Sequence, residues 1–128
     1  MIIIGNGVDI VENRRIFTAI KKKEFIKRIF SKQEINDSKN YKNKANYYAK
    51  RFAAKEAFLK ALGTGLREGI EFKDISVKKS KIGKPSLLLS GKLKKFIYRK
   101  FKIKKFETHV SLSDEKKHSI AFVILNTK

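Results

Sequence analysis

The chain has 128 residues, 41% of them hydrophobic, enough to fill one ordinary core and too few for two comfortable domains. It contains no cysteine, which excludes disulfides, thiolate metal sites and cysteine nucleophiles and fits a reducing cytosol. Its formal net charge of +20 would draw in nucleic acid, anionic membrane, acidic proteins or phosphorylated small molecules, without choosing among them. Lysine dominates that charge and is accompanied by abundant isoleucine and asparagine, as in chains encoded by AT-rich genomes.

Residues 2–4 read as a short apolar strand stopped by the turn signal Gly5-Asn6-Gly7, which leads to Asp9. The opening residues lack the basic leader and long apolar core of a signal peptide, and no run approaches about 18 apolar residues, so a cytoplasmic chain with no membrane span is expected. Over residues 12–40, Ile16, Phe17, Ile20, Phe25, Ile26, Ile29 and Phe30 recur at helical spacing. Ser31 with Glu34 forms a capping box that starts a further helix. Residues 36–46 read as a helix end and a mobile loop. A long helix follows and ends at Gly63-Thr64-Gly65, where glycine accepts the left-handed conformation. Strands are expected over 72–77 and 86–89, around the Lys81-Ile82-Gly83-Lys84-Pro85 turn, then a helix over 93–101. A hairpin of 108–113 and 118–125, turning at 114–117, closes the chain. Helices first and mostly strands afterwards indicate an α+β fold, a single domain spanning 1–128, with an antiparallel sheet packed against the long helix.

The long helix carries charge where a helix should be apolar. At 100° per residue, Glu56 falls within a stripe made by Ala45, Ala49, Phe52, Leu59 and Gly63. A carboxylate there pairs with a cation, neutralises or binds a metal. Lys60, one turn on, offers an internal ion pair. Asp9, just before helical periodicity begins, reads by itself as an Asx turn or a helix N-cap.

Taken in order, Gly5-x-Gly7-Val8-Asp9-Ile10, Arg51-Phe52-Ala53-Ala54-Lys55-Glu56-Ala57, Lys60-Ala61-x-Gly63-Thr64-Gly65, Gly83-Lys84-Pro85 and His109-Val110-Ser111-Leu112-Ser113 span nearly the whole chain. Their arrangement resembles that of the holo-acyl-carrier-protein synthases, the small bacterial-type 4′-phosphopantetheinyl transferases. The resemblance implies a cytosolic enzyme that moves the phosphopantetheine arm of coenzyme A onto a serine of apo acyl carrier protein, releasing adenosine 3′,5′-bisphosphate. It further implies Mg²⁺, a service to fatty-acid biosynthesis, and homotrimers with active sites between subunits.

By the same resemblance, Asp9 and Glu56 are the metal ligands; chemistry places Lys60 with them in the catalytic set, near the diphosphate. Arg51, Lys55, Gly63, Gly65, Lys84 and Pro85 frame the coenzyme A site in that resemblance, while strand alternation puts His109, Ser111 and Ser113 on one face, where a row of small hydroxyls suits phosphate binding. Physical chemistry agrees on the metal: Mg²⁺ prefers oxygen ligands and is usually held by one or two carboxylates together with substrate phosphates. Lys60 is a compact charge able to stabilise or protonate a leaving phosphate. The nucleophile would belong to the partner, and Glu56 and a metal-bound water both remain open as its base. One departure is Asp114, where many relatives carry a second histidine; Asn6, where an apolar residue is commoner, is a smaller one.

Acyl carrier proteins are acidic, so a basic helix after Asp9 would steer them. Arg15 and Arg28 sit where the family resembles a carrier-docking helix, with Lys21, Lys22 and Lys27 adding charge. Phe17 and Phe25 fit the helical core stripe better than a docking role. Two other classes use the same features: a nucleic-acid-binding module, with phosphate contacts from lysines and stacking from Tyr41, Tyr47 and Tyr48, and a Mg²⁺-dependent nuclease built on two carboxylates and a lysine. Neither accounts for the ordered motifs.

Overall fold

The computed structural model describes residues 1–128. Strand β1 (Ile3–Glu12) leads into three short helices, α1 (Asn13–Ala19), α2 (Lys23–Ile29) and α3 (Lys32–Asp37), and a 3₁₀ turn at Ser38–Asn40. The long helix α4 (Lys44–Leu62) follows, then a 3₁₀ turn at Phe72–Asp74, strands β2 (Ile75–Lys79) and β3 (Pro85–Leu89), helix α5 (Gly91–Phe101), and strands β4 (Phe106–Asp114) and β5 (His118–Thr127). The last strand lies in the middle of an antiparallel sheet of order β1-β5-β4, while β2 and β3 pair as a separate ribbon.

Helix α4 runs through the centre of the molecule. It packs on the inner faces of β1 and β5, with α1 and β2 against other sides. Tyr47, Ala49, Ala53, Ala54, Ala57, Phe58, Leu59, Ala61 and Leu62 are all buried, so nearly its whole circumference is core. Asn43 caps its start by accepting from the Asn46 amide, and Gly63, at φ +77°, closes its end in the left-handed conformation.

Gly5-Asn6-Gly7 does not turn the chain: strand β1 passes straight through it and is ten residues long. A Cβ on Gly5 would stand 2.1 Å from the Ala61 carbonyl oxygen, and one on Gly7 only 1.9 Å from that of Ala57. These glycines serve a close approach of strand to helix, met by alanines on the other side. The helical region also differs from expectation. It breaks after Ile20, where the next apolar residue is Phe25 and the spacing of three and four is lost. Phe30 then turns extended before Ser31, whose hydroxyl accepts from the Glu34 amide while the Glu34 side chain accepts from Ser31. Residues 72–74 form a 3₁₀ turn in place of the expected strand start, and β2 is displaced accordingly.

Candidate active site

The close fit of β1 on α4 places one cluster of charged groups. Alternation along β1 turns Gly5, Gly7, Asp9 and Val11 toward the helix and Val8 and Ile10 away. Asp9 therefore meets the exposed C-terminal end of α4. Lys60 Nζ donates to Asp9 Oδ1 at 3.2 Å and to the Val8 carbonyl at 3.0 Å. Glu56, one turn back, is half-buried. Desolvation pushes its carboxyl above the ordinary range, the Asp9 charge pushes it further, and Lys60 opposes both. Glu56 does not lie on a sealed apolar face: Ala49 and Leu59 of the stripe are buried, but Phe52 and Ala45 are partly exposed and Gly63 is open, so Glu56 stands at the accessible edge of an otherwise enclosed helix.

A cavity of about 450 Å³ opens over that edge, lined by Glu56, Leu59, Lys60, Gly63, Gly65 and Phe72 among others. Asp9, Glu56, Lys60, Gly63 and Gly65 are thus brought together in one chain. The two carboxylates suit a divalent cation: they repel each other across a half-buried gap, and no group of three or more His, Cys, Asp or Glu occurs that would fill a shell with protein ligands. The remaining positions would fall to water and phosphate oxygens.

Lys55, expected at the coenzyme site, lies instead in the core. Its side chain and that of Glu34 are both 0% exposed, and Lys55 Nζ donates to Glu34 Oε1 at 2.7 Å. Burial pushes the amine below the usual lysine range and the Glu34 charge counters it. A group so enclosed touches no ligand from solution.

Arg51 is 2% exposed and lies under Tyr47, its guanidinium carbon 3.6 Å from the ring centroid and Nη1 donating to the Tyr47 carbonyl at 3.1 Å. Its Nε is buried and lacks a partner. It lines a second cavity of about 450 Å³ with Gln33, Asp37, Tyr41, Lys78 and Lys79. Burial lowers the Lys79 pKa, and Lys50 and Arg51 lower it further. Pro85 pairs with Lys79 in the ribbon and Lys84 stands exposed just before it, so these two belong beside this second region.

Asp114 ends β4, its carboxylate taken by Lys50 at 3.5 Å and by the Asn46 side-chain amide. It therefore faces α4, whereas His109, Ser111 and Ser113 face the opposite side of the sheet. Register puts Val8, Phe122 and Ser111 in one row of that outer face and Ile10, Ile120 and Ser113 in the next. The four apolar members of these rows are exposed, Ile10 to 63%. His109 shares a 2.9 Å hydrogen bond with Asn126. Ser111 and Ser113 are thus separated by the sheet from Asp9 and Glu56 of the same chain.

Arg15, Lys21, Lys22 and Arg28 are all exposed. Phe17 is not a core residue; it is 54% exposed, with the Lys21 ammonium 4.7 Å from its ring centroid, because the short α1 seats only Ile16 fully. Phe25 does pack inward, against Phe30 and Phe52. Tyr47 and Tyr48 are buried, which removes them as stacking platforms for a nucleic acid. Sequence reasoning missed Lys50, Lys79 and Asn46, since lysines in lysine-rich stretches give no signal. It also missed the burial of Glu34, visible only as half of a capping box.

The profile of the 4′-phosphopantetheinyl transferase superfamily matches residues 5–123. A holo-[acyl-carrier-protein] synthase of Pelagibacter ubique is 55% identical over 128 residues, covering 100% of both chains. The crystal structure of a holo-[acyl-carrier-protein] synthase from Neisseria meningitidis superposes with a TM-score of 0.87 at 36% identity, covering 99% of this chain and 100% of that one. A Bacillus anthracis holo-(acyl-carrier-protein) synthase in complex with CoA superposes at 0.82 with 34% identity, covering 100% of each. The chain belongs to the holo-acyl-carrier-protein synthase family of the 4′-phosphopantetheinyl transferase superfamily.

Proposed function

We propose that this enzyme transfers the 4′-phosphopantetheine group of coenzyme A to a serine of apo acyl carrier protein, with Mg²⁺, in the cytoplasm and in support of fatty-acid biosynthesis. The observation that carries this reading is the Asp9, Glu56 and Lys60 cluster at the rim of a glycine-edged cavity. In the transfer, the serine oxygen forms a bond to the pantetheine-side phosphorus as the diphosphate bridge breaks, and adenosine 3′,5′-bisphosphate leaves with the electron pair. Lys60, beside Asp9 on the cavity wall, would offset charge on the leaving phosphate with its ammonium. Asp9 and Glu56 would hold the cation, which when bound supplies Lewis-acid neutralisation of the diphosphate. Glu56, its pKa raised, also has the character of a base for the serine proton.

A second copy of the chain completes the site in this reading. Ser111, Ser113 and the Arg51 region lie away from Glu56 within one chain, and the outer sheet face beside the two serines carries exposed Val8, Ile10, Ile120 and Phe122. Packing that face against another copy, as in a trimer, buries the apolar rows and brings one chain's serines toward another's carboxylates. Exposed Arg15, Lys21, Lys22 and Arg28 form the basic surface for an acidic carrier, with Phe17 as an apolar contact among them.

Mixing the purified protein with apo acyl carrier protein, coenzyme A and Mg²⁺ and weighing the carrier tests the proposal. A mass gain of one phosphopantetheine group that requires the metal is expected. An unmodified carrier across salt and pH would overturn it.

A further inference from the structure

We propose that Glu34 and Lys55 are positioning residues that hold the far wall of the coenzyme cavity in place; the inference rests on the functional reading above only for the identity of the cavity's ligand. All three Lys55 protons are committed. They go to Glu34 Oε1 at 2.7 Å, to the Phe72 carbonyl at 3.2 Å and to the Ile75 carbonyl. Glu34 in turn accepts from the Ser31 amide at 3.0 Å and from the Val77 amide at 2.9 Å. Two charges removed from water in this way are tolerated only with such complete pairing.

The geometry says what the pair governs. Beyond α4 the chain leaves through Gly63, Gly65, Glu68 and Gly69, all at positive φ, with Gly63, Gly65 and Leu66 forming one side of the cavity. It returns at Phe72, whose ring lies 6.0 Å from that of Phe52 and lines the same cavity as Glu56. The Phe72 carbonyl is bound by Lys55, the neighbour of Glu56 on α4. One buried amine thus ties the returning wall to the helix that carries the carboxylate, while Glu34 ties both to α3 and β2. A glycine-rich excursion without that anchor would leave the cavity width undefined, and a ligand would have to order it on binding.

Two variants separate clamp from charge. Glu34→Gln keeps an acceptor for Lys55, whose amine still donates to Phe72 and Ile75, but leaves that buried ammonium without its counter-charge and so lowers stability while retaining the clamp. Glu34→Gln with Lys55→Met removes both charges and the clamp together, without stranding either charge. Each is assayed about 20 °C below its own melting temperature, with hydrogen exchange of the 71–75 amides measured alongside. The double variant should raise KM for coenzyme A by roughly tenfold and speed that exchange. KM for the carrier should stay within about twofold, and Glu34→Gln, though it melts lower, should stay closer to the wild type than the double variant does on both counts. Equal KM for coenzyme A in the wild type and the double variant, or parallel rises in both KM values, would overturn the proposal. So would unchanged exchange at 71–75. Exchange reads the clamp whether or not the wild type modifies the carrier, so a failure of the transfer reading is recognised separately.

Discussion

Lys55 and Glu56 are neighbours on one helix, and their surroundings could hardly differ more. Lys55 meets a carboxylate and two carbonyls inside the core, every proton used and no water in reach. Glu56 stands at the helix's open edge beside a second carboxylate, with only an exposed lysine to offset the repulsion. A rotation of 100° separates a closed, self-contained ion pair from an arrangement with a single lysine against two carboxylates. The first kind of site defines structure; the second is the kind that a cation or a phosphate-bearing ligand would complete.

The widest separation between the two regions should appear in turnover. Asp9→Ala or Glu56→Ala removes half the carboxylate pair, so turnover should fall by orders of magnitude, about 10³-fold or more, while circular dichroism stays that of the wild type. Lys55→Met alone should do the reverse and act on folding. It strands the Glu34 charge in the core, at a cost of about 3 to 5 kcal/mol in chemical denaturation. Gly7→Ala belongs with it, because its methyl would collide with the Ala57 carbonyl; a loss of several kcal/mol, or failure to fold, is expected.

Smaller effects mark the outer surface. Reversing Arg15 and Arg28 to Glu should raise KM for the carrier several-fold and flatten its salt dependence, since these exposed charges act through attraction screened over about 8 to 10 Å. KM for coenzyme A should not move. Asp114→His should be smallest. It frees Lys50 and Asn46 from a partly exposed pairing worth up to about 1 kcal/mol, so melting should change little and coenzyme A should bind up to a few-fold more tightly.

The pattern of elements was legible in the sequence because apolar spacing and caps report directly on local structure, as at Ser31 and Glu34 or at Gly63. What stayed hidden depended on partners distant in the chain. Gly5 and Gly7 look like a turn because a glycine signals both backbone freedom and close approach, and only the Ala57 and Ala61 backbone tells which applies. Glu56 stood out as a carboxylate on an apolar stripe, yet the fully sealed carboxylate is Glu34, since burial depends on the 3₁₀ turn and β2 arriving from about 40 residues later. The motifs grouped Lys55 and Arg51 with Glu56, but helical rotation sends the three into a core, a second cavity and an open edge.

Burial and the Asp9 charge make ionised Glu56 costly in the folded chain, a cost that a bound cation would relieve, and melting measurements read it out. Its folded pKa is raised, so the stability tied to its protonated form is full below the ordinary carboxylate pKa and is lost as pH rises through the higher folded value. At neutral pH without divalent cation, Glu56→Gln should therefore melt higher than the wild type, and the advantage should vanish in acid. Adding Mg²⁺ with coenzyme A should raise the wild-type melting temperature clearly and the variant's far less. A variant that melts lower at neutral pH, or gains as much from Mg²⁺ with coenzyme A as the wild type does, would contradict the account.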